Sequence, residues 1–95
     1  MDNAAPTVSI TSPANGSTVA RKSTVTITAT ASDNVGVTRV EFYVDGTLKG
    51  TDTTVPYAYT WKVPPQAGRT YQLQAKAYDA AGNITASSLV TVTSR

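Results

Sequence analysis

Hydrophobic and polar residues alternate with a period of two along most of the chain. In the segment YQLQAKAYD, at positions 71–79, Tyr71, Leu73, Ala75 and Ala77 fall on one face. Because successive side chains of a strand point to opposite faces, this pattern predicts half-buried β-strands. Seven such strands are predicted, at about residues 7–12, 23–32, 37–45, 47–53, 57–63, 70–79 and 84–94.

Turn-forming residues separate the predicted strands. Asn15-Gly16 and Asp45-Gly46 are dipeptides favoured in tight hairpins, since both central residues adopt positive φ readily. Prolines occur between the alternating segments, where a missing N–H removes no ladder hydrogen bond. Turn signals about every ten residues predict an all-β fold, an antiparallel sandwich of two sheets.

The amino-acid composition excludes several kinds of catalytic and metal site. The chain has 95 residues, enough for one domain, and it contains neither cysteine nor histidine. These absences remove the thiolate and imidazole ligands and the commonest general base. Catalysis by two carboxylates needs them across a cleft, which a small sandwich does not offer. We therefore expect no enzymatic activity and no required cofactor.

Charge and hydropathy exclude two classes of binding partner, nucleic acids and the membrane interior. The net charge is +2, and the basic residues are scattered along the sequence, with only Arg21 and Lys22 adjacent. A nucleic-acid site needs a basic stripe, so we expect no nucleic-acid partner. No apolar segment approaches the roughly 20 residues of a membrane helix, so we expect no membrane insertion. Residues 1–5 are interpreted as a linker remnant with a methionine added for expression, and residues 6–95 as the domain.

Four segments, PTVSITSPANGSTV, ASDNVGVTRVEFYVDGT, PYAYTW and YQLQAKAYDAAGN, resemble a family of bacterial immunoglobulin-like domains. The resemblance covers nearly the whole chain. It implies an immunoglobulin-like Greek-key sandwich of about seven strands. It also implies an extracellular setting in a secreted or surface bacterial protein, beside glycoside hydrolases, proteases or carbohydrate-binding modules. In such a sandwich Tyr71 would form a tyrosine corner, with its ring inward and its hydroxyl bonded to nearby backbone.

A calcium-binding site is the first candidate for a functional site. In the predicted sandwich, the loops SDNVG and DAAGN lie at the end that holds the N-terminus, and Asp2 or Asn3 arrives there from the linker. Calcium takes six to eight oxygen ligands. The alternative is that these side chains form Asx turns and cap the loops. The predicted ligands are Asp33, Asn34, Asp79 and Asn83.

A carbohydrate-binding surface is the second candidate. Antiparallel pairing of segments 37–45 and 70–79, with position 39 opposite 78, places polar and aromatic residues on one outer face. Tyrosine rings stack on sugars, and amides and charges bind hydroxyls. The predicted residues are Arg39, Tyr43, Gln74 and Tyr78. The alternative is ordinary cross-strand pairing, with an ion pair between Glu41 and Lys76 and a cation–π contact between Arg39 and Tyr78.

The function predicted from these observations is that of a non-catalytic accessory domain, monomeric in isolation. It would hold apart neighbouring domains of a larger secreted or surface bacterial protein. One alternative is a module that binds a polysaccharide or another surface through the exposed tyrosines. Another is adhesion or self-assembly through an exposed sheet edge.

Overall fold

A computed structural model describes residues 5–33 and 36–95, which form nine β-strands. The strands are β1 (Thr7–Ser12), β2 (Ser17–Val19), β3 (Thr24–Ser32), β4 (Val37–Val44), β5 (Thr47–Asp52), β6 (Tyr57–Lys62), β7 (Thr70–Asp79), β8 (Ile84–Ala86) and β9 (Val90–Ser94). Six of the seven predicted strands match observed strands to within one residue at each end. Within these described residues, no helix is long and apolar enough to cross a membrane.

The strands form two sheets that pack face to face. The small sheet has the order β1-β3-β6, and the large sheet has the order β2-β9-β7-β4-β5, with β8 also paired to β7. The chain crosses between the sheets after β1, β2, β3, β5 and β6, whereas β4 and β5, and β7 to β9, follow one another within the large sheet. The predicted all-β sandwich is therefore confirmed. Among the described strands, the pairing of β2 with β9 is parallel.

The core lies between the sheets and follows the period-two pattern. On β4, Val40, Phe42 and Val44 are buried, and on β7 the inward positions from Tyr71 to Ala77 are buried as well. The small sheet contributes Ile27 and Trp61. Its outer face carries hydroxyls, which pair across β1 and β3 as Thr7–Ser32, Ser9–Thr30 and Thr11–Thr28.

The molecule is elongated, with extents of 48 × 19 × 19 Å, and its two ends differ in which loops they hold. At one end Thr7 lies opposite Ser32, and Val37 lies opposite Asp79. We call this end the N-terminal pole; it holds the β3–β4 and β7–β8 loops. At the other end Thr24 lies opposite Lys62, and β9 finishes beside the start of β7. This end is the C-terminal pole.

The prediction of one strand over residues 84–94 is wrong, because that segment forms two strands. β8 pairs with β7 at Lys76–Tyr78, and β9 pairs with it at Thr70–Leu73. Between them, the buried Ser87 bonds to Ala75 twice. Its N–H donates to the Ala75 carbonyl (2.7 Å), and its hydroxyl accepts from the Ala75 N–H (2.9 Å). The side chain thus completes the pairing where the ladder is interrupted.

The two Gly-containing dipeptides behave differently. Asp45 and Gly46 both have positive φ, 52° and 80°, and form the tight hairpin between β4 and β5, as predicted. The hairpin expected at Asn15-Gly16 is absent, because this turn leads from β1 in the small sheet to β2 in the large one. Asn15 instead bonds to Thr91, whose N–H donates to the Asn15 side-chain oxygen at 2.8 Å. β2 was not predicted.

The tyrosine corner expected at Tyr71 is only half correct. The ring is buried and meets Trp61 edge to face, with centroids 5.0 Å apart. The Tyr71 hydroxyl, however, has no hydrogen-bond partner in the described part of the chain, so the predicted bond to nearby backbone does not form. The close packing of Tyr71 against Trp61 holds the ring inside the core.

Candidate functional site

The outer face of the large sheet brings together the residues predicted for carbohydrate binding. Arg39 lies opposite Tyr78, and Tyr43 lies opposite Gln74, so the predicted register is confirmed. These residues alternate with the buried core positions of β4 and β7, and therefore share one surface. Between them lies Glu41, opposite Lys76.

Glu41 is the centre of this face. Both tyrosine hydroxyls donate to its Oε1 atom, Tyr43 at 2.9 Å and Tyr78 at 2.5 Å. The carboxylate side chain is only 12% exposed, because the two rings flank it. The tyrosines lie two ladder positions apart, but their hydroxyls converge on one oxygen. We call Arg39, Glu41, Tyr43, Lys76 and Tyr78 the Glu41 cluster.

The two cations of the Glu41 cluster lie over the tyrosine rings. The Arg39 guanidinium is 3.8 Å from the centroid of the Tyr78 ring, which confirms the predicted cation–π contact. The predicted ion pair of Glu41 with Lys76 is not observed. Glu41 pairs with Arg39 at 3.7 Å, and the Lys76 ammonium lies 4.6 Å from the centroid of the Tyr43 ring. A sugar stacking on either covered ring face must therefore displace a cation.

Ionisation in the Glu41 cluster follows from this geometry. Burial opposes the charge on Glu41, but the hydrogen bonds from Tyr78 and Tyr43 and the nearby cations outweigh it and lower its pKa. Burial, together with the hydrogen bond to Glu41, raises the pKa of Tyr43 to about 12. The hydrogen bond to Glu41 and burial also raise the pKa of Tyr78. At neutral pH the cluster is thus one carboxylate with two neutral tyrosines.

Two exposed apolar side chains border the Glu41 cluster, and neither was singled out from the sequence. Leu48, 47% exposed, lies opposite Tyr43, and Ile84, 55% exposed, lies opposite Tyr78. The tight hairpin at Asp45-Gly46 pairs 44 with 47 and 43 with 48, so the position of Leu48 was open to prediction. The position of Ile84 was not, because it depends on the path of the β7–β8 loop.

The N-terminal pole holds Asp33, Asp79 and Asn83, three of the four residues predicted to bind calcium. Asp79 ends β7 and is 5% exposed. Its Oδ1 accepts from the N–H groups of Ala81 (3.0 Å) and Asn83 (2.8 Å), and its Oδ2 accepts from the Asn83 side-chain amide (2.9 Å). Asp79 and Asn83 thus close the β7–β8 loop on itself. This is the loop-capping role that the sequence left open as the alternative.

Asp33 lies at the same pole, in the β3–β4 loop, and its Oδ2 accepts from the Gly36 N–H at 3.2 Å. The fourth predicted ligand, Asn34, lies outside the described residues. Across residues 5–33 and 36–95, no three Asp or Glu side chains are grouped closely enough to hold a metal ion. Asp33 Oδ2 and both carboxylate oxygens of Asp79 each accept a hydrogen bond from within their own loops.

This architecture, three strands packed on six with a core that crosses both layers, defines an immunoglobulin-like β-sandwich. A family model described as "Bacterial Ig domain" matches residues 6–75. The chain belongs to this family of bacterial immunoglobulin-like domains.

Two relatives show where such domains occur. Chitinase D of Niallia circulans is 42% identical over 73 residues, which cover 76% of this chain and 13% of that protein. The chain thus spans a small part of that relative. A solved structure described as fibronectin(III)-like modules of Clostridium thermocellum CbhA superimposes with a TM-score of 0.84 at 32% identity. That match covers 93% of this chain and 94% of the other.

Proposed function

We propose that this chain is a non-catalytic accessory domain that holds neighbouring domains apart in a larger secreted bacterial protein that acts on polysaccharides. The observation that carries the proposal is the elongated body, 48 Å long, with β1 starting at one pole and β9 ending at the other. A chain that enters at one pole and leaves at the opposite pole separates whatever is attached to it. The similarity to part of a chitinase and to modules of CbhA supports this context.

The spacer role is tested by fusing a folded, dye-labelled domain to each end and measuring single-molecule energy transfer. The control is a Gly/Ser linker of 95 residues, the same length as this chain. Its root-mean-square span is about 50–60 Å, close to the length of the domain, so the mean distance does not discriminate. The spacer role predicts a clearly narrower distance distribution than the linker gives. Equal widths would contradict it.

A second candidate function is polysaccharide binding on the outer face of the large sheet. The exposed apolar side chains of Leu48 and Ile84 favour it, because they extend the surface of Tyr43 and Tyr78 at two corners. Arg39 would supply donors for sugar hydroxyls. Gln74, whose side-chain amide already donates to the Ser87 carbonyl (3.0 Å), would supply its second amide hydrogen. The hydrogen bonds to Glu41 hold both rings in place before a ligand arrives, which reduces the entropic cost of binding.

Polysaccharide binding is tested by pull-down on insoluble chitin, cellulose and xylan. Retention that disappears in Tyr43→Ala/Tyr78→Ala would establish the site. The matched control is Thr26→Ala/Thr60→Ala, a paired position on the outer face of the small sheet. Circular dichroism checks that each variant is folded. Equal retention of both variants, or no retention of the unmodified domain, would contradict binding at this face.

Calcium binding at the N-terminal pole by Asp33, Asn34, Asp79 and Asn83 is a third, separate proposal. It is supported by the position of the β3–β4 and β7–β8 loops at one pole. The measurement is the melting temperature in chelator and in excess calcium, with the Asp33→Asn variant as control. The proposal predicts a rise that the variant loses, and an unchanged melting temperature contradicts it.

A further inference from the structure

The basic residues, dispersed along the sequence, gather at the C-terminal pole. The Arg21 N–H donates to the Arg95 carbonyl (3.1 Å), and the Ser94 N–H donates to the Arg69 carbonyl (2.8 Å). Lys62 ends β6 at the same pole. The two basic residues outside this group belong to the Glu41 cluster. The basic residues of the pole, all of them exposed, are Arg21, Lys22, Lys49, Lys62, Arg69 and Arg95.

Little negative charge offsets these cations. Of the described acidic residues, Asp45 is the one at this pole, where its Oδ1 accepts from the Gln72 N–H at 2.9 Å. Within the part of the chain that the structure describes, no carboxylate forms an ion pair with a cation of the pole. Arg69 contacts neutral groups, the Gln66 side-chain oxygen (3.2 Å) and the Tyr71 ring (5.4 Å to the centroid). The positive charge of the pole therefore remains available to an anion from outside.

Two open clefts lie at the C-terminal pole, and Pro64 lines both of them. Lys22 and Lys62 line the first cleft, which has a volume of about 450 Å³. Lys49 and Arg69 line the second, which has a volume of about 310 Å³. Both volumes fall within the roughly 300–1,000 Å³ of known ligand sites. Because Pro64 borders both clefts, one extended ligand can cross it and meet cations in each.

The first cleft combines cations with apolar surface. Besides the two lysines it is lined by Val63, Pro64 and Pro65, of which Pro65 is exposed and Pro64 half-buried. A lysine ammonium is a compact charge with three hydrogen-bond donors, which suits carboxylates and hydroxyls. A sugar ring has an apolar C–H face that can pack on proline, and an acidic sugar adds a carboxylate. The lining of this cleft therefore matches an acidic sugar unit.

The backbone at Lys22 supports a role for its side chain. Its φ is 62°, in the left-handed region where a side chain is strained and glycine is not. The Lys22 N–H donates to the Val63 carbonyl at 3.1 Å, which fixes this turn beside the end of β6. Strained backbone of this kind clusters at functional sites. Glycine would form the turn with less strain, so the lysine here points to a use for its ammonium group.

We propose that the C-terminal pole binds an acidic polysaccharide. Its chain crosses Pro64, with carboxylates near Lys22 and Lys62 in the first cleft and near Lys49 and Arg69 in the second. The carboxylate of Asp45 also lines the second cleft and makes it the less cationic of the two. The first cleft should therefore contribute more to binding. This inference goes beyond the spacer role, and it concerns a different surface from the Glu41 cluster.

The aromatic residues of the pole favour a polysaccharide over single-stranded nucleic acid. Proteins that bind single strands without sequence preference stack the bases on aromatic side chains. The aromatic residues that line the second cleft, Trp61 and Tyr71, are only 4% and 3% exposed, because they pack in the core. A sugar ring has no π face and needs no such platform.

The test measures the affinity of the domain for polygalacturonate at several salt concentrations. We expect binding at low salt that weakens as salt rises, because cations that meet a polyanion release its counterions. Lys22→Gln/Lys62→Gln should weaken binding about two- to thirtyfold, the range for two exposed ion pairs. The matched control is Thr30→Glu/Ser88→Glu, which changes the net charge equally at exposed positions away from the pole. Circular dichroism checks that each variant is folded.

A further variant separates binding from folding. Lys22→Gly relieves the strained turn, so it should unfold at the same or a higher urea concentration and still bind polygalacturonate more weakly. Tyr43→Ala/Tyr78→Ala should bind polygalacturonate as the original does, because those side chains lie on the outer face of the large sheet. Unchanged binding by Lys22→Gly, or lost binding by the tyrosine variant, would contradict the proposed site.

Other results would overturn the proposal as a whole. They are an absence of binding at low salt, equal weakening by the lysine variant and its control, and undiminished binding after the carboxylates are methyl-esterified. Equal or tighter binding of single-stranded DNA would show a general affinity for polyanions instead. The single-molecule energy-transfer experiment tests the spacer role separately, so failure of one proposal leaves the other standing.

Discussion

At the scale of single residues, Gly50 and Tyr59 show how closely the two sheets approach. A Cβ atom at Gly50 would lie 2.5 Å from Cδ1 of Tyr59, well inside van der Waals contact. The Tyr59 ring also stacks on Phe42, with centroids 6.3 Å apart. Only glycine at this position of β5 leaves room for the ring.

Gly50→Ala is expected to destabilise the domain by about 1–3 kcal/mol, the range for overpacking. In a strand without this contact, the same change would gain about 0.5–1 kcal/mol. Urea unfolding measures the effect, with the adjacent exposed Thr51→Ala as control. A Gly50→Ala protein as stable as the original would show that the ring moves aside at no cost.

The raised pKa of the Tyr43 hydroxyl predicts that the domain loses stability at alkaline pH. In the unfolded chain its pKa is near 10, and in the folded protein it is raised to about 12. Between these values the unfolded state loses a proton that the folded state retains, so the free energy of unfolding falls as pH rises. Unfolding of the original and Tyr43→Phe proteins at several alkaline pH values measures this. Parallel declines in the two proteins would refute the prediction.

The lowered pKa of Glu41 predicts the opposite dependence at acidic pH, where the free energy of unfolding should fall as pH decreases. Its pKa is lowered in the folded state, so its contribution to stability is present above the unfolded pKa and is lost as pH falls through the folded value. Glu41→Gln should therefore be less stable than the original at neutral pH, and the difference should shrink in acid. Thermal melts of both proteins across this range test it, and a difference independent of pH would count against the assignment.

At the scale of elements, the interruption between β8 and β9 depends on one side chain. The Ser87 hydroxyl satisfies the buried N–H of Ala75, which has no strand partner at that point of the ladder. An unsatisfied buried donor costs about 1–3 kcal/mol.

Ser87→Ala is expected to lose this amount, while the neighbouring, exposed Ser88→Ala should change stability little. Hydrogen exchange at Ala75 gives a local readout, because its N–H should exchange faster in Ser87→Ala only. Equal exchange in the two variants would mean that another acceptor takes the place of the hydroxyl.

At the scale of the whole molecule, one core joins both sheets. Phe42 of the large sheet is 1% exposed and stacks on Tyr59 of the small sheet, while Trp61 meets Tyr71 across the same interior. No disulfide reinforces this core, because the chain has no cysteine. The stability of the entire domain therefore depends on these aromatic contacts.

Phe42→Ala is expected to cost about 3–5 kcal/mol, a large share of the roughly 5–15 kcal/mol that holds a domain folded. Because both sheets share the core, tryptophan fluorescence and circular dichroism should report one transition, shifted together to lower urea. Separate transitions would show that the sheets unfold independently. Leu48→Ala is the control, since that side chain is half exposed.

The sequence by itself determined the fold class and six of the strands, and it led to one correct pairing register. Alternation is a local property of a strand and does not depend on what the strand packs against. It therefore predicted six strands to within one residue at each end. The register of β4 with β7 was predicted correctly as well, although the pattern excludes only slips of one residue, which would place apolar positions of one strand opposite polar positions of the other. The same alignment placed Arg39, Tyr43, Gln74 and Tyr78 on one face, as the structure has them.

Only the tertiary structure decided which contacts those residues make with one another. Glu41 bonds to both tyrosines because side chains two ladder positions apart lean together, which alternation does not encode. The split between β8 and β9 depends on Ser87 reaching one N–H. Arg21, Arg69 and Arg95 lie together at the C-terminal pole because segments far apart in sequence meet there. The local pattern specifies the strands, whereas the meeting of residues that are distant in sequence depends on the path of the whole chain.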